Sequence, residues 1–149
     1  MSKQEIDPRG PRFGAAITAV LLLTVVYLSL NPSTFSIAIS ILGIVVALFA
    51  IGAFLGNSKH PYGYLYKRLV RPLLQAPKEL EDSRPPQFAQ LVGLLVAGTG
   101  LVLGGLDIQL GLTIAAAAAF FAAFLNAVFN YCLGCQIWLG LVRVGIIKP

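Results

Sequence analysis

Hydrophobic positions along this chain fall into four long blocks, at about residues 13–30, 35–55, 88–106 and 110–130, and none of the blocks contains Asp, Glu, Lys or Arg. Each is close to the roughly 20 residues a helix needs to cross the hydrocarbon core of a bilayer. Short polar turns, Asn31–Thr34 (NPST) and Asp107–Gln109 (DIQ), join the first block to the second and the third to the fourth. A longer polar segment, Asn57–Gln87, separates the two pairs. The pattern predicts an all-α membrane protein: four transmembrane helices plus short interfacial helices, in a single membrane domain over 1–149. The first block is too long for a signal-peptide core and no small-residue cleavage site follows it, so a retained helix is expected there.

Two weaker patterns flank the blocks. In HPYGYLYKRLVRPLL, Tyr62, Leu65 and Leu69 share one helical face and Lys67, Arg68 and Arg71 the other. That is the signature of a short helix in the headgroup layer, ending near Pro72. After the fourth block, Gln136, Arg143 and Lys148 form a narrow polar edge, with Trp138 suited to the interface. The apolar run Leu110–Ile147 is too long for one perpendicular span at about 1.5 Å per residue. A bend is expected near Asn130–Gly134.

The halves resemble each other. DPRGPRFGAAITAVLLL begins at Asp7 and DSRPPQFAQLVGLLVAG at Asp82, an offset of 75 that aligns Arg9 with Arg84, Pro11 with Pro86 and Phe13 with Phe88. It also aligns Phe49 with Phe124 and Arg68 with Arg143. A parallel two-helix repeat is expected, with repeat one over 7–72 and repeat two over 82–149 and the pseudo-axis along the membrane normal. Proline fixes φ and restricts the residue before it, so RGPRF and RPPQF read as extended entries into the first and third helices. Asp7 and Asp82 are expected to pair with the arginines or to cap backbone donors.

Charge orients the chain. All 11 basic residues lie in the N-terminal arm, the central segment and the C-terminal tail, and the two short turns carry none. The positive-inside rule then puts both termini and the central segment in the cytoplasm, which in a bacterial cell means the inner (plasma) membrane. The net charge of +5 is spread over three juxtamembrane segments, which suits anionic lipid headgroups and argues against nucleic acid as a partner. The bilayer is the first partner, and self-association into a homo-oligomer stays open.

Chemistry concentrates at the bend. Cys132 and Cys135, the two cysteines of the chain, form a C-x-x-C. Three residues apart on a helix their Cα atoms would be about 5 Å apart, within disulfide range, and Gly134 eases closure. A reducing cytosol disfavours a structural disulfide, so a transient, redox-active pair is the sharper expectation. If Cys132 ends the fourth helix, the negative helix end disfavours its thiolate. If Cys135 begins a new helix, the positive end lowers its pKa and makes it the nucleophile. His60, the sole histidine, aligns with Cys135 under the offset and is a candidate base or proton shuttle at the same mouth; the plainer alternative is an interfacial histidine before a proline. Two thiolates and one histidine make an incomplete zinc site, so no metal is expected.

The remaining intramembrane polar residues are few. Asn126 and Asn130 stand one turn apart and would bond across the bundle or line a path from the cysteines inward. Ala115–Ala119, Ala122, Ala123 and Ala127, like Gly93, Ala97, Gly100 and Gly104, read as close-packing positions. A membrane location makes a quinone the candidate electron acceptor, although no residue marks its site. The rivals to a dithiol are a non-enzymatic membrane scaffold, with the cysteines as small packing residues, and a carrier for a small sulfur compound.

IDPRGPRFGAAITA, the stretch YKRLVRP…ELEDSRPPQFAQLVG, and LNAVFNYCLGCQIWL together resemble a bacterial membrane family, common in actinobacteria, known as domain of unknown function 4395. The likeness covers nearly the whole chain. The family's L-C-L-G-C motif matches Tyr131–Cys135 except at the first position, and family members often carry Arg where Gln87 stands. Members often neighbour genes for thioredoxin-like proteins and rhodanese-type sulfurtransferases. The resemblance therefore implies a thiol–disulfide or sulfur relay between Cys132/Cys135 and a thioredoxin-like or rhodanese-like cytosolic partner. In architecture the chain is also similar to the four-helix DoxX type of membrane oxidoreductase subunit, a likeness of fold alone.

Overall fold

Where the sequence holds its four charge-free blocks, a computed structural model, which describes residues 3–149, has four helices of 21 or 22 residues. In order the chain forms β1 (Glu5–Ile6), α1 (Arg9–Ser29), α2 (Phe35–Leu55) and α3 (Pro61–Leu65). A π turn (Tyr66–Val70) and a 3-10 turn (Arg71–Leu73) extend α3, and β2 (Glu81–Asp82), α4 (Arg84–Gly105), α5 (Gln109–Phe129) and α6 (Leu133–Arg143) follow. Helices α1, α2, α4 and α5 are each long and apolar enough to cross a membrane. The protein is an all-α membrane protein. Large side chains such as Val20, Leu23, Ile44, Leu95, Val102 and Phe121 stand exposed around the bundle, an apolar belt far larger than water tolerates.

The helix starts differ from the expected ones. α1 and α4 begin at Arg9 and Arg84, four residues ahead of Phe13 and Phe88. The prolines are not extended entries. Pro11, Pro85 and Pro86 sit in the first helical turn, where a backbone N–H has no intrahelical acceptor and its loss costs nothing.

The two Asp-x-Arg boxes fold alike. Asp7 accepts the Arg9 backbone N–H at 3.0 Å and its guanidinium at 2.9 Å; Asp82 accepts the Arg84 N–H at 3.0 Å and its guanidinium at 2.6 Å. Pairing with Arg9 holds the Asp7 carboxyl below the usual carboxylate range, and Arg84 does the same for Asp82. The leaders lie side by side: β1 and β2 pair antiparallel, Glu5 opposite Asp82 and Ile6 opposite Glu81. The Ser83 N–H extends this ribbon by donating to the Gln4 carbonyl at 2.8 Å.

In the bundle α1 packs chiefly on α5 and α2 on α4, so the main interfaces join the first helix pair to the second. Leu22, Val25, Ala38, Leu42, Val45, Ala97, Leu112 and Ala116 form its core. Lipid is as apolar as these side chains, so close contact and polar bonds hold the helices together. A Cβ on Gly100 would lie 2.6 Å from that of Ala115. At the far end Ser29 and Thr113 share a hydroxyl hydrogen bond of 2.8 Å, and Gln109 donates to the Ser29 carbonyl.

The α3 segment docks on α1 and α6 docks on α4. A ring pair marks each contact, Phe13–Tyr66 at 5.9 Å and Phe88–Trp138 at 5.6 Å. Trp138 is thus buried against the bundle rather than set at an exposed interface. On the α3 segment Tyr66 is the buried side chain, its hydroxyl donating to Asp7 at 2.9 Å, while Leu65 and Leu69 point outward. The π turn rotates the face that docks away from the one a regular helix would present.

Candidate functional site

Helix α5 stops at Asn130, which takes the left-handed conformation (φ 54°) that asparagine tolerates better than most residues. The Tyr131 N–H turns back to the Leu125 carbonyl at 3.2 Å. Cys132 is then extended and becomes the N-cap of α6, its Sγ accepting the Cys135 N–H at 3.2 Å. The Gln136 N–H donates to the Cys132 carbonyl at 3.0 Å and closes the first turn. The bend expected at the cysteines is where the chain bends.

Cys132 and Cys135 are joined as a disulfide, with Cα atoms 5.2 Å apart. Both are half-buried. Gly134 between them fits tightly against α4, because a Cβ there would lie 2.5 Å from both Cα and Cβ of Ala89. That close approach seats the head of α6 on the first turns of α4. Neither cysteine ends α5, and both sulfurs belong to the electropositive start of α6. Between them Cys132 holds the N-cap and receives the backbone donor.

The pair opens on a cavity of about 600 Å³ between α1, α4, α5 and α6. Its polar lining comes from Arg12, Thr18, Glu81, Asp82, Gln90, Asn126, Asn130 and Gln136, and Ala118, Ala119, Ala122 and Ala123 form an apolar wall. Ala119 packs in the core as well as bordering this space, while Ala118, Ala122 and Ala123 line it without joining the core. Asn126 and Asn130 border the same space as the cysteines.

Arg12 joins the cavity to the bundle. Its Nη2 donates to the Ala127 carbonyl in the last turn of α5 at 3.2 Å, and its Nε is buried with no partner. A cation at a helix C-terminus meets the negative end of the dipole. Gln87, 75 residues on, makes the corresponding bond from α4 to the Ala53 carbonyl of α2 at 2.8 Å. In sequence Arg12 is one more basic residue of the N-terminal arm. The usable signal was its alignment with Gln87 under the offset.

His60 stands elsewhere. It is 4% exposed and caps α3, its Nδ1 accepting the Tyr62 N–H at 3.2 Å while Nε2 donates to the Leu48 carbonyl at 3.0 Å. Those bonds fix the neutral Nε2–H tautomer. Burial lowers its pKa, against a smaller upward pull from the Leu48 carbonyl. It lines a second cavity of about 560 Å³ with Asn57, Tyr62, Tyr66 and Asp7, which has no cysteine in its wall. The structure does not bring His60 together with Cys132 and Cys135, and both its ring nitrogens are already engaged.

Fold and site together define a small multi-pass membrane protein with a C-x-x-C heading a short docked helix. The chain belongs to the family described as domain of unknown function (DUF4395), whose model matches residues 6–143. No curated protein and no solved structure matches it.

Proposed function

We propose that this protein is a membrane thiol–disulfide relay in which Cys132 and Cys135 exchange a disulfide, or pass persulfide sulfur, with a thioredoxin-like or rhodanese-like protein at the cytoplasmic face of a bacterial plasma membrane. The observation that carries this reading is the Cys135 N–H aimed at the Cys132 sulfur at the head of α6. A backbone donor and a helix N-terminus both stabilise a thiolate. Cys132 is therefore the attacking sulfur, and Cys135 resolves. The sequence argument favoured Cys135, which a helix beginning at that residue would have made the N-terminal sulfur; α6 begins two residues earlier.

In exchange, the Cys132 thiolate attacks one sulfur of the partner's disulfide and releases the other as a thiolate. Cys135 then attacks Cys132, breaks the mixed disulfide and frees the partner as a dithiol. Two electrons pass to the partner, and the cysteines end as the disulfide. The reverse sequence reduces them. Orientation rests on the three basic segments, which carry all 11 Lys and Arg residues.

The test is exchange in lipid nanodiscs. Reduced protein is mixed with an oxidised thioredoxin and its thiols are counted by mass-tagging. Loss of both thiols together, and a trapped mixed disulfide in Cys135→Ser but not in Cys132→Ser, supports the relay. Thiols that never exchange would leave the cysteines as small packing residues in a scaffold.

A further inference from the structure

We propose that the cavity beside Cys132 and Cys135 binds the ring of a membrane quinone and that this quinone takes the electrons of the dithiol. The inference rests on the relay reading and adds its membrane-side electron acceptor.

The cavity's volume of about 600 Å³ falls within the roughly 300–1,000 Å³ of small-molecule sites. Its wall of α5 alanines belongs to a membrane-crossing helix, so an apolar molecule arriving from the bilayer suits it better than a water-soluble anion.

Arg12 carries only donors, and Gln90, Asn126 and Asn130 each offer an amide N–H₂ beside a carbonyl; the Glu81 and Asp82 carboxylates in the same wall only accept, and Asp82 is paired with Arg84. A quinone presents carbonyl oxygens that only accept.

Cys132 and Cys135 put a two-electron donor in the wall of the same cavity. The Cys132 thiolate adds to a ring carbon, forming a C–S bond and placing an electron pair on the carbonyl oxygen, which takes up a proton. Cys135, losing its proton, attacks the Cys132 sulfur. The S–S bond forms, the C–S bond breaks, and its electron pair returns to the ring. One dithiol becomes one disulfide, and one quinone becomes one quinol carrying two electrons and two protons.

Trp138, the single tryptophan, is a built-in reporter, because its neighbours Ile137 and Leu139 both line the cavity. Quinones quench indole fluorescence. A short-chain prenyl naphthoquinone is titrated into nanodiscs holding the full-length protein, and saturable quenching is expected both in wild type and in Cys132→Ser/Cys135→Ser. Arg12→Met should weaken it about tenfold. Should that variant fold poorly, a photoreactive naphthoquinone on wild type should label α1 or α5 beside the cavity.

Anaerobic reduced protein should then yield one quinol per protein, and the double serine variant none. Quenching that stays linear and matches a free indole lipid in the same discs overturns the site, even where thioredoxin exchange succeeds. Saturable binding with no quinol from protein that thioredoxin does oxidise overturns the electron transfer. Failure of exchange with thioredoxin in the same preparation strikes the relay reading instead, since binding to the double serine variant needs no thiol.

Discussion

The backbone N–H of Cys135 points at the Sγ of Cys132 from 3.2 Å, and this one contact makes the two cysteines inequivalent. It places the N-cap sulfur where a thiolate gains a hydrogen bond and the positive end of α6. In the reduced protein Cys132 should react with iodoacetamide at least about threefold faster than Cys135 at neutral pH, because the thiolate is the reacting form. Mass spectrometry of partly alkylated protein reads the ratio. Equal rates, or a faster Cys135, would remove the case for Cys132 as the attacking sulfur.

Arg12 ties the start of α1 to the end of α5 through the Ala127 carbonyl. A hydrogen bond from a charged donor contributes about 1.5–3 kcal/mol, so Arg12→Ala should lower stability by an amount of that order. Arg12→Lys should recover part of it. Gln87→Ala, which removes a neutral bond to Ala53, should cost about 1 kcal/mol. Unfolding in mixed micelles with increasing SDS measures all three. An Arg12→Ala variant as stable as wild type would mean that this bond does not hold α5.

Gly134 and Gly140 lie on the same short helix in opposite surroundings. A Cβ on Gly134 meets Ala89, whereas one on Gly140 has nothing within 4 Å. Gly134→Ala should therefore cost about 1–3 kcal/mol by overpacking and slow any reaction that depends on the seating of Cys132. Gly140→Ala should be neutral or stabilising, by up to about 1 kcal/mol of helix propensity. Thermal unfolding followed by Trp138 fluorescence distinguishes the two. Equal effects would argue against the tight seat on α4.

His60 gives a pH prediction whose sign follows from burial. Its folded pKa lies below its ordinary value, so the stability it contributes is fully present above the ordinary value of about 6.5. That stability is lost as pH falls toward and through the lowered folded pKa, because the unfolded chain binds the proton first. His60→Gln should flatten this part of the stability–pH curve. The pH profile of thiol exchange should not change, since His60 lines a different cavity from the cysteines. A shifted exchange profile would restore His60 as a proton shuttle.

Much of the architecture was legible because lipid imposes so plain a pattern. Charge-free blocks separated by polar turns leave few alternatives, and α2 runs from Phe35 to Leu55 as its block does. A bend near Asn130–Gly134 was legible because the apolar run Leu110–Ile147 exceeds one perpendicular span. Helix starts were less so, because proline reads as a breaker although the first helical turn accepts it. The cavity was hidden for a different reason: an alanine that packs and one that borders open space look the same in sequence. Arg12 meets a carbonyl 115 residues away, and a carbonyl leaves no mark of its residue type. Alignment of His60 with Cys135 under the offset did not put the two in the wall of one cavity. The α3 segment rests on α1 and α6 on α4, so alignment with Cys135 did not make His60 its neighbour.

The most direct measurement is cysteine labelling with a maleimide mass tag that cannot cross membranes, in intact cells and in inverted vesicles, before and after reduction. No labelling is expected in intact cells, and two tags are expected in vesicles, appearing in part only after reduction. Cysteines tagged in intact cells would contradict the cytoplasmic orientation. Cysteines silent in both preparations until the protein is denatured would contradict the relay itself.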